Sequence, residues 1–160
     1  MNTTQLRRIL AKDNYVRPHL LTVCPHDLLQ HHIERASTKR RTAAIVFNLD
    51  PSHLPGSHWV AVFLDLVKGQ AEYFDSTGLP PDPACRQLLE KHCSRKPLLY
   101  NKRILQEDTM VCGQFCVVFL KLRCRGRSFK QCIQRLTFRD NDRAVYNLVK
   151  RDIPELPYRL

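Results

Sequence analysis

The sequence predicts an α+β fold, because strand-like segments occupy the middle of the chain and helical patterns lie towards both of its ends. The chain has 160 residues, of which 43% are hydrophobic. That length and composition suit one globular domain with a substantial core, spanning residues 1–160. We find neither an internal repeat nor a second domain in the sequence.

Three of the expected strands cover residues 43–49, 58–67 and 70–76. The first is a continuous apolar and β-branched run, which is typical of a buried central strand. Residues 50–57 are rich in Pro, Ser and Gly and predict a loop. Lys68 and Gly69 predict a hairpin turn between the second and third strands. A fourth strand is expected at 98–105.

The helices are predicted from apolar spacing and from caps. Leu6, Ile9 and Leu10 share a helical face, behind a cap at Thr3 or Thr4. Residues 112–120 are apolar nearly all round and predict a buried helix that begins at or beside Cys112. Further helices are expected around 28–33, from Asp82 or Pro83 to His92, after Ser128 and after Asp140. Between these, Cys24-Pro25-His26-Asp27 predicts a turn, and Pro154 and Pro157 predict an extended tail.

The charge of the chain is strongly basic. Lys and Arg number 26 against 15 Asp and Glu, a net charge of +11. Residues 121–160 hold eleven of the basic residues and four of the acidic ones, or +7. Such an excess suggests a polyanionic partner, with nucleic acid the first candidate and an anionic membrane the second. The equal alternative is a solvated basic surface with no partner.

The seven cysteines are an odd number and include no Cys-x-x-Cys pair. The first eight residues contain no apolar signal core, and no apolar run approaches the length of a membrane span. We therefore expect free thiols in a reducing compartment, a chain that is not secreted, and no membrane partner. A zinc site is not expected, because the available Cys and His residues lack the usual ligand spacings. Those residues are Cys24, His26, His31, His32, Cys85, His92 and Cys93.

Cys112 is the candidate nucleophile. At the start of a buried helix, the helix dipole and the unpaired backbone N–H groups favour a thiolate over a thiol. The thiolate is the nucleophilic form of cysteine. The alternative is that Cys112 is a small core residue, as most free cysteines are.

His58 and Asp75 are the candidate base and acid. Pairing about the turn near 68–69 brings both residues to the open end of the hairpin, where the carboxylate could hold one imidazole nitrogen and leave the other as a base. Taken singly, His58 could be an exposed loop histidine and Asp75 a turn-forming residue. Glu72 is the alternative acid. Gln106, six residues before Cys112, could donate its amide to an oxyanion together with the Cys112 backbone N–H.

Taken in order, four elements resemble one clan of cysteine peptidases, which contains the adenovirus protease and the ubiquitin-like-protein proteases. They are Gly56-Ser57-His58-Trp59, Tyr73-Phe74-Asp75-Ser76, Gln106 and Cys112-Gly113. The order His, acid, Gln, Cys is that clan's order and is opposite to papain's. The resemblance spans roughly residues 43–122. It is closest to the adenovirus-type branch, the adenains of DNA viruses and Maverick/Polinton-like elements, through residues 55–59 and 112–120.

The resemblance implies a central mixed β-sheet flanked by helices, with the cysteine helix packed on the sheet. It implies hydrolysis of polypeptides through a thioester, without a cofactor for the chemistry. Cys112 would be the nucleophile, His58 the base, Asp75 the orienting acid and Gln106 the oxyanion donor, with Trp59 packed nearby. The adenovirus proteases often have Glu as the acid, so Asp75 is more like the cellular deubiquitinase-like branch.

The resemblance further implies virion maturation by cleavage of viral precursors, in the virion and the host nucleus. A peptide and DNA activate adenovirus proteases, and the basic segment 121–160 fits DNA binding. Nothing in the sequence selects a cysteine to link with such a peptide. We expect a monomer. The alternatives are an isopeptidase acting on ubiquitin-like tags with the same residues, and a non-catalytic basic DNA-binding protein.

Overall fold

Five strands form one mixed sheet in the order β1-β2-β3-β4-β5, with helices on both of its faces. The structure is a computed structural model and describes residues 1–107, 110–137 and 140–154. The strands are β1 Leu20–Pro25, β2 Thr42–Asn48, β3 Trp59–Asp65, β4 Gln70–Phe74 and β5 Leu99–Tyr100. The α-helices are α1 Thr3–Lys12, α2 Leu29–Ser37, α3 Pro83–His92, α4 Cys112–Cys124, α5 Phe129–Arg135 and α6 Asn141–Lys150. A 3₁₀ turn, His26–Leu28, leads into α2.

The predicted α+β class and the central mixed sheet are confirmed. The two outer pairs, β1 with β2 and β4 with β5, are parallel, whereas β2, β3 and β4 are antiparallel neighbours. Successive residues of β2 alternate between the two faces, and both faces are covered. Ala44 and Val46 join one core, while Ala43, Ile45 and Phe47 join the other. This double burial is why the strand is apolar without interruption.

The two cores separate the helices into two layers. One layer contains α1, α4, α5 and α6, and the other contains α2 and α3. Helix α4 lies in the larger core, where Phe119 stacks on Phe74 of β4 with ring centroids 4.5 Å apart. Because α4 lies between β3 and the other helices of its layer, eight of its residues are buried.

Several local predictions are confirmed. Helix α3 begins after Asp82, whose side chain accepts from the Cys85 N–H. Helix α5 begins after Ser128 with a capping box, and α6 follows Asp140. Helix α4 begins at Cys112 as expected. Pro157 lies outside the described residues.

Three predictions were wrong in detail. The cap of α1 is Asn2 rather than Thr3 or Thr4, because the Asn2 side chain accepts from the Gln5 N–H and the Gln5 side chain accepts from the Asn2 N–H. The hairpin turn spans 66–69 rather than two residues, since Asp65 pairs with Gln70. Strand β1 was not expected, and Cys24 and Pro25, assigned to a turn, end it.

The strand expected at 98–105 is only Leu99–Tyr100. In Asn101, the residue that follows β5, the side chain takes the place of the backbone in the pairing with the neighbouring strand. Asn101 Oδ1 accepts from the Asp75 N–H at 3.0 Å, and Asn101 Nδ2 donates to the Asp75 carbonyl. The chain leaves the sheet at this point because a side chain has taken over the backbone pairing of Asp75.

No helix within residues 1–107, 110–137 and 140–154 is long and apolar enough to cross a membrane.

Candidate active site

The open end of the β3–β4 hairpin brings His58 and Asp75 together. Ala61 pairs with Phe74, so the residue just before β3 and the residue just after β4 lie at the same edge of the sheet. His58 Nε2 lies 2.7 Å from Asp75 Oδ1. The imidazole is 16% exposed and the carboxylate 1% exposed, so water competes weakly for this hydrogen bond.

Two neighbours hold the carboxylate in place. Thr77 donates to Asp75 Oδ1 from its backbone N–H at 2.8 Å and from its hydroxyl at 2.7 Å. Asn101 holds the Asp75 backbone from the other side. Burial raises the pKa of the Asp75 carboxyl, but the hydrogen bonds from His58 and Thr77 outweigh it and leave the pKa below its ordinary value. Asp75 is therefore ionised at neutral pH.

Cys112 is the first residue of α4 and reaches the same point from the helical layer. His58 and the Trp59 backbone lie close enough to its thiol to lower the pKa of that group. Since His58 Nε2 is paired with Asp75, the remaining ring nitrogen, Nδ1, is the one available to Cys112. The imidazole of His58 is thus hydrogen-bonded to the Asp75 carboxylate and also lowers the pKa of the Cys112 thiol.

The pKa values of Cys112 and His58 favour an ion pair between these two residues. Burial lowers the pKa of His58, but hydrogen bonds with Asp75 and Cys112 outweigh it and raise the pKa to about 9. Burial raises the pKa of Cys112, but hydrogen bonds from His58 and Trp59 outweigh it and lower the pKa. Each shift stabilises the charged form of its group, so the two shifts together favour a thiolate–imidazolium pair.

Cys112 differs in this respect from the other six cysteines. All seven are free thiols within the described residues. Burial raises the pKa of Cys24 and Cys93 to about 11, and that of Cys85, Cys124 and Cys132 to about 12. Burial also raises the pKa of Cys116. A lowered thiol pKa is therefore found at one cysteine of the seven.

Gln106 lies beside the acid strand through Ser76. The Gln106 N–H donates to the Ser76 carbonyl at 2.9 Å, and the Ser76 hydroxyl donates to Gln106 Oε1 at 2.8 Å. The carbonyl end of the amide faces Ser76, which makes Nε2 the donor end of the group. This orientation suits an amide that donates to an oxyanion.

Trp59 lies in the wall of the site. Its indole N–H donates to the Met1 carbonyl at 2.9 Å, and its backbone carbonyl accepts from the Cys116 thiol at 3.4 Å. At Gly113 a Cβ atom would lie 3.2 Å from the Met1 Cβ and 3.5 Å from the Trp59 ring. The residue after Cys112 is therefore crowded, and glycine suits the close approach of these neighbours.

Glu72, the alternative acid, forms an ion pair away from the candidate site. Its carboxylate is paired with the Arg123 guanidinium at 2.6 Å, at the far end of α4 from Cys112. Sequence reasoning missed Ser76, Thr77 and Asn101. The first two directly follow Asp75 and could have been suspected from that position, whereas nothing in the sequence pointed to Asn101.

Within the described parts of the chain, no group of three or more His, Cys, Asp and Glu side chains is arranged to hold a metal ion.

The comparisons with known proteins point to one class of enzyme. A thiol protease of Acanthamoeba polyphaga mimivirus is 33% identical over 106 residues, which cover 61% of this chain and 35% of that protein. A cysteine protease of African swine fever virus is 33% identical over 115 residues, which cover 64% of this chain and 42% of that protein. The chain is similar to viral cysteine proteases. It spans less than half the length of these relatives, and no protein-family model matches it.

Solved structures agree on the fold. A crystal structure of the African swine fever virus protease superimposes with a TM-score of 0.68 at 19% identity, over 92% of this chain and 65% of that one. The Chlamydia trachomatis effector Cdu1, bound to ubiquitin, gives a TM-score of 0.69 at 11% identity, over 98% of this chain and 95% of that one. The mixed sheet with its helical layers is thus the fold of these proteases.

Proposed function

We propose that this chain is a cysteine endopeptidase domain that cleaves viral precursor proteins. The observation that carries the proposal is the imidazole of His58, which is hydrogen-bonded to the Asp75 carboxylate at 2.7 Å and lowers the pKa of the Cys112 thiol. The similarity to viral thiol and cysteine proteases supports the same class of reaction.

In the proposed reaction the Cys112 thiolate attacks the carbonyl carbon of a peptide bond. The developing oxyanion accepts hydrogen bonds from Gln106 Nε2 and the Cys112 backbone N–H. His58 gives its proton to the leaving amine, and a thioester remains on Cys112. His58 then takes a proton from water, the hydroxide attacks the thioester, and the thiolate is restored as the acid product leaves. Asp75 keeps the imidazole oriented and stabilises its charged form.

The substrate class is proposed from the relatives. Because the similar curated proteins are viral, we propose cleavage of viral precursors during virion maturation, in the virion and the host nucleus. The nearer likeness to the adenovirus-type branch stays a prediction from residues 55–59 and 112–120. DNA, bound through the basic segment 121–160, and an activating peptide remain proposed partners on the same ground.

An isopeptidase that releases ubiquitin-like modifiers is the second candidate. It would use the same four residues, and one structural neighbour is a Chlamydia effector bound to ubiquitin. The two candidates differ in the part of the substrate that the enzyme binds beyond the cleaved bond, since an isopeptidase must bind a folded modifier.

The first experiment tests the nucleophile without a substrate. Native protein is treated with iodoacetamide from pH 5 to 9, and the modified cysteines are located by mass spectrometry. Cys112 should react well below the pH expected of a free thiol near 8.5, because the pKa of its thiol is lowered. Cys124, the half-buried cysteine, is the internal control. Equal rates at the two cysteines would remove the basis of the proposal.

The second experiment separates the candidates. The protein is incubated with a library of denatured viral structural proteins, with ubiquitin and with SUMO, the last two as fluorogenic C-terminal amides. An endopeptidase should produce new internal N-termini and leave both modifiers intact. Cys112→Ala should abolish the new termini while the far-UV circular dichroism is unchanged. Release of fluorophore in place of internal cleavage would favour the isopeptidase.

A further inference from the structure

We propose that Ser76 is a positioning residue that aims the amide of Gln106 at the oxyanion, an inference that rests on the proposed function. Ser76 is fully buried between Asp75 and the segment that precedes Cys112. The acid and the oxyanion donor would then be held by adjacent residues of one turn.

Ser76 contacts Gln106 through both its side chain and its backbone. The Ser76 hydroxyl donates to Gln106 Oε1 at 2.8 Å. The Ser76 carbonyl accepts from the N–H groups of Leu105 and Gln106 at 2.8 and 2.9 Å. The backbone bonds place the Gln106 Cα, and the hydroxyl holds the side-chain amide by its Oε1 end.

The direction of the amide matters because its two ends have opposite polarity. Rotation by about 180° would exchange Nε2 with Oε1 and present a carbonyl oxygen to the oxyanion. In the structure the Ser76 hydroxyl donates to Oε1, so the amide is held with its carbonyl end at the serine. Alanine at this position would remove the donor and leave the backbone bonds intact.

The turn that contains Ser76 is itself packed closely on the Gln106 segment. Gly78 has a φ of +76°, and its N–H donates to the Asp75 carbonyl at 2.9 Å. A Cβ at Gly78 would lie 2.9 Å from the Arg103 carbonyl carbon and oxygen. The two segments therefore lie in close contact, and the two backbone bonds to the Ser76 carbonyl keep the Ser76 hydroxyl within reach of the amide.

The test compares two small reagents that attack the same thiolate. Acylation of Cys112 by p-nitrophenyl acetate forms an S–acetyl bond and expels p-nitrophenolate through an oxyanion intermediate. Alkylation by iodoacetamide forms an S–C bond and expels iodide, with no oxyanion. The ratio of the two rates at Cys112 therefore measures oxyanion stabilisation and cancels the amount of thiolate.

Ser76→Ala should lower this ratio about tenfold to a hundredfold. The fall should not exceed the loss caused by removing an oxyanion donor outright. The alkylation rate should be unchanged. Ser76→Thr, which keeps the hydroxyl, should restore the ratio. Ser37→Ala is the matched control, since the Ser37 hydroxyl also makes a 2.8 Å hydrogen bond, to the Glu34 carbonyl, away from the site. With a peptide substrate, Ser76→Ala should lower kcat more than it raises KM.

A double variant distinguishes positioning from general damage. In a Gln106→Ala background, Ser76→Ala should lower the ratio no further, because the group that it positions is gone. An equal fall in both backgrounds, or an unchanged ratio in Ser76→Ala, would overturn the inference. If Ser76→Ala does not fold, Ser76→Cys keeps the size and weakens the donor, and the same fall is expected.

The wild-type ratio tells apart the failure of the inference and that of the proposed function. A wild-type ratio no higher than that of free cysteine would mean that there is no oxyanion hole, and both would fall. A high wild-type ratio that Ser76→Ala leaves unchanged would overturn the role of Ser76 alone.

Discussion

At the scale of single residues, the site depends strongly on Asp75, although this carboxylate acts on the nucleophile only through His58. Its carboxylate receives three hydrogen bonds on Oδ1, from His58 and twice from Thr77. Oδ2 is buried and accepts no hydrogen bond from the residues that the structure describes. The negative charge is therefore directed at the imidazole, which it keeps protonated and turned towards Cys112.

Asp75→Asn should lower kcat by about 10⁴-fold, by analogy with other triads, because the imidazole loses its orientation and its counter-charge. The same change should lower the pKa of His58 and raise that of Cys112. Steady-state kinetics and the iodoacetamide rate at pH 6 measure the two effects. Asp65→Asn, at the turn end of the same hairpin, is the matched control and should change neither. An unaltered kcat in Asp75→Asn would mean that another group is the acid.

The pH dependence of the site should be bell-shaped for hydrolysis. The reactive pair needs a charged Cys112, whose pKa is lowered, and a charged His58, whose pKa is about 9. Activity should therefore persist below the ordinary thiol pKa, be lost as pH falls through the Cys112 pKa, and decline again near pH 9 as His58 loses its proton. The two limbs report the pair rather than either residue alone.

Alkylation by iodoacetamide provides the contrast, because it needs the thiolate and no proton donor. Its rate at Cys112 should show the acid limb and then a plateau that continues above pH 9. A decline of both rates at the same alkaline pH would indicate unfolding rather than loss of the His58 proton.

At the scale of elements, helix α4 is held on the sheet at both of its ends. Cys112 contacts Trp59 at the start of β3, and near its other end Arg123 pairs with Glu72 of β4 at 2.6 Å. The Arg123 guanidinium also lies 4.4 Å from the Phe63 ring centroid. The side chains of Glu72 and Arg123 are 4% and 18% exposed, so this is a largely buried ion pair.

Arg123→Met should destabilise the protein by about 3–5 kcal/mol at pH 7, because it leaves the Glu72 carboxylate buried without its counter-charge. Urea unfolding followed by circular dichroism measures the change. Arg86→Met, which breaks the exposed Arg86–Glu90 pair on α3, is the control and should cost at most about 0.5 kcal/mol. A similar small cost at Arg123 would contradict this account of how α4 is held.

The penalty should depend on pH in a defined direction. Burial raises the pKa of Glu72 even though Arg123 lowers it, and loss of the guanidinium should raise it further. A group with a raised folded-state pKa loses stability as pH rises through that pKa. The difference between wild type and Arg123→Met should therefore be largest at pH 7 and shrink towards pH 4, where Glu72 becomes protonated.

The elements also show how much of the fold can be predicted from local sequence. Helices α3 to α6 and the β3–β4 hairpin were predictable, because apolar spacing, caps and turn residues are local determinants. The meeting of His58 with Asp75 followed from the hairpin alone. Strand β1 was missed because a short segment that contains Thr22 and Pro25 becomes a strand only by parallel pairing with β2. The strand expected at 98–105 is shorter than predicted, because the Asn101 side chain takes over the backbone pairing of Asp75.

At the scale of the whole molecule, the basic excess is the feature that the proposed chemistry leaves unused. Helix α5 and the residues just before it carry part of this excess on the exposed side chains of Arg127, Lys130 and Arg135. Arg127 and Arg135 also line a shallow surface groove with two glutamines, Gln131 and Gln134. Peptide hydrolysis needs none of these charges, whereas a polyanion would neutralise them.

Duplex DNA should accordingly bind with an affinity that falls steeply with salt, by a log–log slope of about 0.9 for each phosphate contacted. Replacing Arg127, Lys130 and Arg135 by Gln should weaken binding and lower that slope by up to about one unit per residue. Fluorescence anisotropy with a labelled duplex from 50 to 200 mM salt, about the range over which such contacts are lost, measures both.

The control replaces Arg17, Arg35 and Lys39 by Gln. These residues are also exposed, so the variant removes the same charge from another part of the surface. If the two triple variants lose affinity equally, the interaction belongs to the net charge of the protein and not to a site formed by Arg127, Lys130 and Arg135. A flat salt dependence in the wild type would mean that the basic excess is a solvated surface and that the protease works without a nucleic-acid partner.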